Sequence, residues 1–208
     1  MYILPPDYYQ EVGPNGFNQK PVGTGPFVFE NWDKGVEIEV RKNEDYWRDP
    51  PKVDRVFFKN APEDSTRMSM LLTGEADIAA NLPPELVSQV ENSNRAEVRS
   101  VPSLRKMFVE FYRAEPPFDD VRVRKAFNYA INVDAIIEHV LGGFGEKRKG
   151  FIPPGWLGYN PDGLNSYDYD PERARELLTE AGYEEGELKV DFHYPIGRYL
   201  KDSEVAEA

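Results

Sequence analysis

The chain has 208 residues, which is enough to bury a hydrophobic core in one large domain or two small ones. Its formal net charge of -12 argues against a nucleic-acid partner, because phosphate binding needs a basic face. The absence of cysteine excludes disulfides, thiolate metal sites and cysteine nucleophiles, and no segment is long and apolar enough to span a membrane.

The first part of the chain is predicted to be mixed α/β. Apolar and charged residues alternate over 36–41, which indicates a strand with one buried face. Residues 26–31 are its predicted partner, and 53–58 form a third strand. Asp64 is then predicted to cap a helix that ends at Gly74.

The rest of the chain combines short strands with helices. Strands are predicted from runs of β-favouring residues at 76–80, 97–101, 107–112 and 188–194. Helices are predicted to begin at a first-turn proline or a capping side chain: Pro84, Asp120, Asn132 and Asp170. Ser203 is predicted to cap one more helix near the last residue.

Five motifs occur in a fixed order. Residues 21–27 read Pro-Val-Gly-Thr-Gly-Pro-Phe, 31–32 Asn-Trp, 41–47 Arg-Lys-Asn-Glu-Asp-Tyr-Trp, 74–78 Gly-Glu-Ala-Asp-Ile, and 117–126 Pro-Phe-Asp-Asp-Val-Arg-Val-Arg-Lys-Ala. In this order and at these spacings, they resemble the family 5 extracellular solute-binding proteins. These are the peptide/nickel-type substrate receptors of bacterial ABC importers.

The resemblance implies a fold and a cellular location. It implies an α/β chain with a partial two-lobe, periplasmic-binding-protein type II fold of the cluster C kind, in which helices flank mixed sheets. Residues 1–101 would be part of the first lobe and 102–208 the first part of another. Because family members are much longer, we expect the chain to be an internal section of a longer protein. That protein would work in the periplasm or on the extracellular face of the cytoplasmic membrane, with any signal peptide or lipid anchor outside this section.

The function that the resemblance implies is non-covalent capture. The receptor would close on an oligopeptide or similar solute in a cleft between lobes and deliver it to an ABC permease, with no catalytic residue, metal or cofactor. Nickel chelates, haem, glutathione, opines and sugars also use this scaffold, so the ligand stays open. The candidate ligand-binding residues are Asn81 and Arg105 near the predicted lobe boundary, and Trp156 in the long loop 142–169.

Other kinds of chemistry have weaker support in the residues. The turn at 23–25 lacks the Gly-Lys-Ser/Thr ending of a phosphate-binding loop and is predicted to be structural. Asp119 and Asp120 precede a helix, where capping accounts for them. His139 and His193 lack a metal-ligand spacing. Two alternatives remain: a hydrolase acting on glycans or peptides through carboxylates, and a sensory or adhesion module on the same fold.

Overall fold

The computed structural model describes residues 3–208. The chain divides into two compact units, residues 1–70 and 71–208, and each is described on its own. Among the helices described, none is long and apolar enough to cross a bilayer. The elements in chain order are α1 (Pro6–Gln19), β1 (Phe27–Asp33), β2 (Glu37–Lys42), β3 (Arg55–Lys59), α2 (Asp64–Thr73), α3 (Pro84–Asn92), α4 (Val121–Ala130), α5 (Val133–His139), α6 (Pro171–Glu180) and α7 (Asp202–Glu207).

A three-stranded antiparallel sheet with the order β1-β2-β3 organises the first unit. All three strands begin and end within two residues of their predicted bounds, and β2 is the strand that the period-2 alternation predicted. Trp32 pairs with Ile38, and Ile38 with Phe58, so these apolar residues share one face. On the other face the Arg55 guanidinium lies 2.5 Å from a carboxylate oxygen of Glu39. The alternation within β2 therefore places Ile38 on one face of the sheet and Glu39 on the other.

Side chains of the 41–47 motif hold the glycine-containing turn that precedes β1. The Asn43 side-chain amide donates to the Gly25 carbonyl at 3.0 Å, and its backbone N–H donates to the Pro26 carbonyl at 2.9 Å. The Trp47 indole N–H donates to the Thr24 carbonyl at 3.3 Å. The turn thus supplies carbonyl acceptors to its own unit, which supports the structural role predicted for it.

Helix α1 is an element that the sequence pattern did not reveal. It contains Gly13, at φ 65°, followed by Pro14, and the two interrupt the helical backbone. Phe17 packs against Tyr8 and Tyr9, with ring centroids 6.1 and 5.4 Å away. A pattern of apolar spacing is hard to recognise across such a break, because the residues on either side no longer follow one helical period.

The pairing of α4 with α6 forms the best-defined core of the second unit. Ala126 of α4 meets Ala174 and Leu177 of α6, and all three are buried. Tyr129 and Leu178 pack around them, partly exposed. Small residues at the contact let the two helices approach closely, so this pair defines the frame of the helical region.

Capping side chains begin three helices where the sequence predicted them. The carboxylate of Asp120 accepts a backbone N–H at 2.8 Å at the start of α4. Asn132 does the same for α5 at 3.0 Å, and Asp170 for α6 at 2.9 Å. The predicted end of α2 is also confirmed, since Gly74 takes the left-handed conformation at φ 79°.

The strand predictions for the second unit are wrong within residues 3–208. Segments 76–80, 97–101, 107–112 and 188–194 form no strand there. A strand exists only through hydrogen bonds to a partner, which a local pattern of β-favouring residues does not supply. Several of their apolar side chains lie in solvent; Ile78, for example, is 87% exposed. The lobe boundary placed near residue 101 stays a prediction.

Candidate ligand-binding site

Two arginines share one tyrosine ring in the second unit. The guanidinium carbon of Arg105 lies 5.6 Å from the centroid of the Tyr199 ring, and that of Arg198 lies 5.3 Å from it. Cation–π attraction places guanidinium groups against aromatic rings at such distances. We call these three residues the arginine–tyrosine cluster. It joins a residue predicted to bind ligand with two residues far along the chain.

The two guanidinium groups differ from most other arginines in lacking a carboxylate partner. Among residues 3–208, no ion pair involves Arg105 or Arg198, although the chain carries an excess of acidic groups. Arginines that do pair with a carboxylate are Arg41, Arg55, Arg67, Arg99, Arg122, Arg148, Arg173 and Arg175. The cluster therefore presents two cations whose planar donor groups are free to meet an external anion.

A buried carboxylate fixes the segment that carries the cluster, residues 197–201, which we call the arginine loop. Asp202, only 5% exposed, accepts backbone N–H groups from Gly197 and Ser203 at 3.1 and 2.9 Å on one oxygen. Its other oxygen accepts from Arg198 and Tyr199 at 2.8 and 3.0 Å. These bonds, led by the one from Tyr199, hold the pKa of the Asp202 carboxyl below its usual range.

Lys201 connects the arginine loop to helix α3. Its backbone is left-handed, at φ 59°, a conformation that costs a residue other than glycine about 1 kcal/mol. Its ammonium group lies 2.6 Å from Glu85 of α3 and 2.9 Å from Glu204 of α7. The hydrogen bond to Glu85 is the main cause that raises the pKa of Lys201, and bonds from Lys201 lower the pKa of both carboxyls.

The three residues predicted to bind ligand have different surroundings. Arg105 is in the cluster. Asn81, at φ 56°, precedes by four residues the Glu85 that Lys201 contacts, so the Cα atoms of Asn81 and Glu85 are at most about 14 Å apart. Trp156 is 56% exposed and lies in a turn with local backbone hydrogen bonds to Pro153 and Tyr159. Ligand contact by these residues stays a prediction.

Sequence reasoning missed Arg198, Tyr199 and Asp202. It assigned the cap of the last helix to Ser203, whereas α7 begins at Asp202 and the carboxylate of that residue binds the preceding loop instead. A usable signal was present: an aspartate at the start of helix-forming residues, preceded by Gly-Arg-Tyr-Leu-Lys. Acidic residues in that position bind nearby backbone N–H groups, and the arginine and tyrosine are then held in fixed places.

A concave surface lies in the long loop 142–169. Its cavity has a volume of about 300 Å³ and mainly apolar walls formed by Phe151, Ile152, Gly158, Asn160, Gly163 and Leu164. Phe151 packs edge-on against Phe108, with centroids 5.0 Å apart, and the Lys106 ammonium lies 5.5 Å from its ring. A larger depression between Glu91 and Val98, of about 460 Å³, is open to solvent. Neither includes a residue of the arginine–tyrosine cluster.

Of the adjacent carboxylates Asp119 and Asp120, Asp120 does not provide a general acid. Asp120 caps α4 and pairs with Arg122, whose side-chain nitrogens lie as close as 2.5 Å. Hydrogen bonds from the Arg122 side chain are the main cause that lowers the pKa of Asp120 to about 2. A carboxyl with that pKa is ionised at neutral pH, so it has no proton to give.

Comparison with known proteins identifies a family. The sequence pattern described as bacterial extracellular solute-binding proteins, family 5 Middle, matches residues 1–208. A dipeptide-binding protein of Escherichia coli is 35% identical over 83% of this chain and 32% of its own length. A glutathione-binding protein, GsiB, of Salmonella paratyphi A is 34% identical over 88% of this chain and 36% of its own length. The chain thus spans about a third of the length of these relatives.

Solved structures show the same type of fold. A periplasmic binding protein, DppA, of Helicobacter pylori in complex with the peptide STSA has a TM-score of 0.69 and 35% identity, covering 87% of this chain and 36% of that one. The Campylobacter jejuni protein NikZ, in complex with Ni(L-His), has a TM-score of 0.76 and 27% identity over 88% of this chain and 37% of that one. The mixed α/β architecture is therefore part of a type II periplasmic-binding-protein fold, as predicted.

Proposed function

Because the chain belongs to family 5 of the bacterial extracellular solute-binding proteins, we propose that it is part of the substrate receptor of an ABC importer that takes up peptides. The arginine–tyrosine cluster binds a carboxylate of the peptide. The receptor works in the periplasm or on the outer face of the cytoplasmic membrane and docks on an ABC permease. It acts by binding and release, without bond chemistry.

One observation supports the carboxylate assignment most directly. Arg105 and Arg198 meet at one aromatic ring, and neither has a carboxylate partner among the residues described. A guanidinium group matches a carboxylate through two parallel N–H···O bonds, a geometry that a lysine does not offer. In a chain with a net charge of -12, two such groups form a local region of positive charge that attracts an anion.

The relatives supply the solute class. Those named here are described as dipeptide-binding and glutathione-binding, and one solved relative holds the peptide STSA. Peptides, glutathione included, carry free carboxylates at neutral pH. A site that fixes one terminus and leaves the side chains to solvent or to adaptable walls accepts many sequences. We therefore expect broad selectivity among short peptides and a strict need for the free C-terminus.

The alternative functions have less support. A carboxylate hydrolase needs a general acid, and Asp120, the most suggestive candidate in the sequence, is an ionised cap of α4. A sensory or adhesion module would bind solute by the same cluster and differ only in the absence of uptake. Uptake of labelled peptide by cells with and without the full-length protein separates the two: equal uptake contradicts the transport role.

Binding of matched peptide sets tests the site. Full-length protein is equilibrated with a library of di- to tetrapeptides or with its C-terminally amidated counterpart, and retained peptides are read by native mass spectrometry. A charged hydrogen bond contributes about 1.5–3 kcal/mol, so Arg105→Ala and Arg198→Ala should each weaken acid binding about 10- to 100-fold. Arg175→Ala, which removes an exposed pair with Glu172, is the matched control.

The interpretation depends on comparing how each protein binds the acid peptides and the amidated peptides. The wild-type protein should bind amides weakly, and neither arginine variant should weaken amide binding further. If both variants retain acid peptides as well as the wild-type protein does, the cluster is not the carboxylate site. If the wild-type protein retains no peptide from either library, the peptide class is wrong.

A further inference from the structure

We propose that Asp202 is a positioning residue for solute binding: it presets the arginine loop, and Lys201 locks that loop to helix α3. This inference rests on the proposed function, because it concerns how the arginine–tyrosine cluster reaches its binding geometry. It assigns to three charged residues, Asp202, Lys201 and Glu85, a role in affinity that does not require them to touch the solute.

The carboxylate of Asp202 dictates one conformation of the arginine loop. Three consecutive backbone N–H groups, those of Gly197, Arg198 and Tyr199, reach the same carboxylate at 3.1, 2.8 and 3.0 Å. Successive N–H groups in an extended chain point in opposite directions, so they converge on one acceptor only in a tight turn. Gly197, at φ 73°, supplies the left-handed residue that such a turn requires.

The turn sets the positions of two members of the arginine–tyrosine cluster. Arg198 and Tyr199 are two of the four residues whose N–H groups bind Asp202, so their Cα–Cβ directions are set by that carboxylate. Arg105 comes from a distant segment, and its cation–π contact with the Tyr199 ring joins it to the arginine loop. If the loop loses its turn, the ring moves and both guanidinium groups lose their common support. A site assembled in advance binds with less loss of conformational freedom.

Lys201 fixes the other end of the loop. It takes a left-handed backbone, in which glycine would be unstrained, yet its side chain is only 19% exposed and its ammonium lies 2.6 Å from Glu85. The strained conformation is what aims the ammonium at α3. Because Glu204 of α7 holds the same ammonium at 2.9 Å, one lysine connects the loop, α3 and α7.

The test separates positioning from general stability by a mutant cycle. In the full-length protein, Asp202→Ala is made in the wild-type background and in a background that carries both Arg105→Ala and Arg198→Ala, and dissociation constants are measured for the acid peptide library. We expect Asp202→Ala to weaken binding at least tenfold in the wild-type background and less than twofold when both arginines are already alanine. Independent structural damage would give the same loss in both backgrounds.

Two further variants complete the design. Lys201→Gly relieves the backbone strain but removes the bridge, so it should weaken peptide binding several-fold without lowering the melting temperature. Lys201→Arg, which keeps a cation, should restore part of the affinity. Asp170→Ala, which removes a helix-capping carboxylate outside the arginine loop, is the matched control and should leave affinity unchanged.

The outcomes also distinguish this inference from the function on which it rests. If Arg198→Ala leaves acid binding unchanged, the carboxylate site itself is wrong. If Arg198→Ala weakens binding but the loss from Asp202→Ala is absent, or is equal in both backgrounds, the site stands and the positioning role is refuted. Faster amide exchange at residues 197–199 in Asp202→Ala, with exchange in α4 and α6 unchanged, is the structural result expected alongside the affinity loss.

Discussion

The contact between α4 and α6 gives a prediction whose size follows from burial. Leu177 is 4% exposed and packs against Ala126 and Ala174. Leu177→Ala removes three carbon atoms, about 2.4 kcal/mol of transfer free energy at 0.8 kcal/mol each, and leaves a cavity. Partly exposed Tyr129 and Leu178 can relax into that cavity. We therefore expect a loss of about 3 kcal/mol, in the lower part of the range for buried leucines.

Hydrogen exchange measured by mass spectrometry is the suitable assay, because it reports opening of α4 and α6 whatever the size of the protein around them. A loss of 3 kcal/mol corresponds to roughly 100-fold faster exchange of amides that are protected by this contact. Leu157→Ala is the control, since the Leu157 side chain is fully solvent-exposed at 100%. Exchange accelerated less than threefold by Leu177→Ala, or equally by both variants, would refute the packing argument.

The helix caps give two further predictions. Asn132→Ala should lower the stability of α5 by about 1 kcal/mol and speed its amide exchange about fivefold. Asn132→Asp keeps a capping side chain and is the control. Equal amide exchange in the two variants would contradict the capping role of Asn132. Asp120, with its pKa lowered from 3.8 to about 2, should stabilise the protein fully above 3.8 and progressively less as the pH falls through 2. NMR titration checks this: Arg122→Gln should move the Asp120 midpoint up, and a wild-type midpoint near 3.8 would contradict the ion pair.

Local signals explain what the sequence predicted correctly. A cap such as Asp120 binds an N–H two residues away, and Gly74 ends α2 by its own backbone preference, so each can be recognised in a short window. The β1–β2–β3 sheet was also predictable, because adjacent strands with clear alternation pair along the chain. The structure gives two of the family motifs a physical role, because Asn43 and Trp47 hold the turn at 23–25.

The remainder depends on contacts between distant residues. Segments such as 97–101 have the composition of strands, but strand formation depends on a partner that composition does not identify. The sequence predicts Arg105 as a ligand-binding residue near a lobe boundary, but neither its neighbours nor those of Tyr199 indicate that the two side chains meet. Ser203 satisfies the same capping pattern as the neighbouring Asp202, so a short window of sequence does not distinguish the two. A candidate binding site formed by residues that are distant in the sequence is thus the feature that is hardest to predict from sequence alone.

A crystal structure of the full-length protein with a bound peptide tests the central claim most directly. The account predicts that the C-terminal carboxylate of the peptide lies within about 3 Å of guanidinium nitrogens of the arginine–tyrosine cluster, with the Asp202 bonds to the arginine loop intact. A carboxylate held elsewhere, with Arg105 and Arg198 both paired to acidic side chains of the protein, would contradict it.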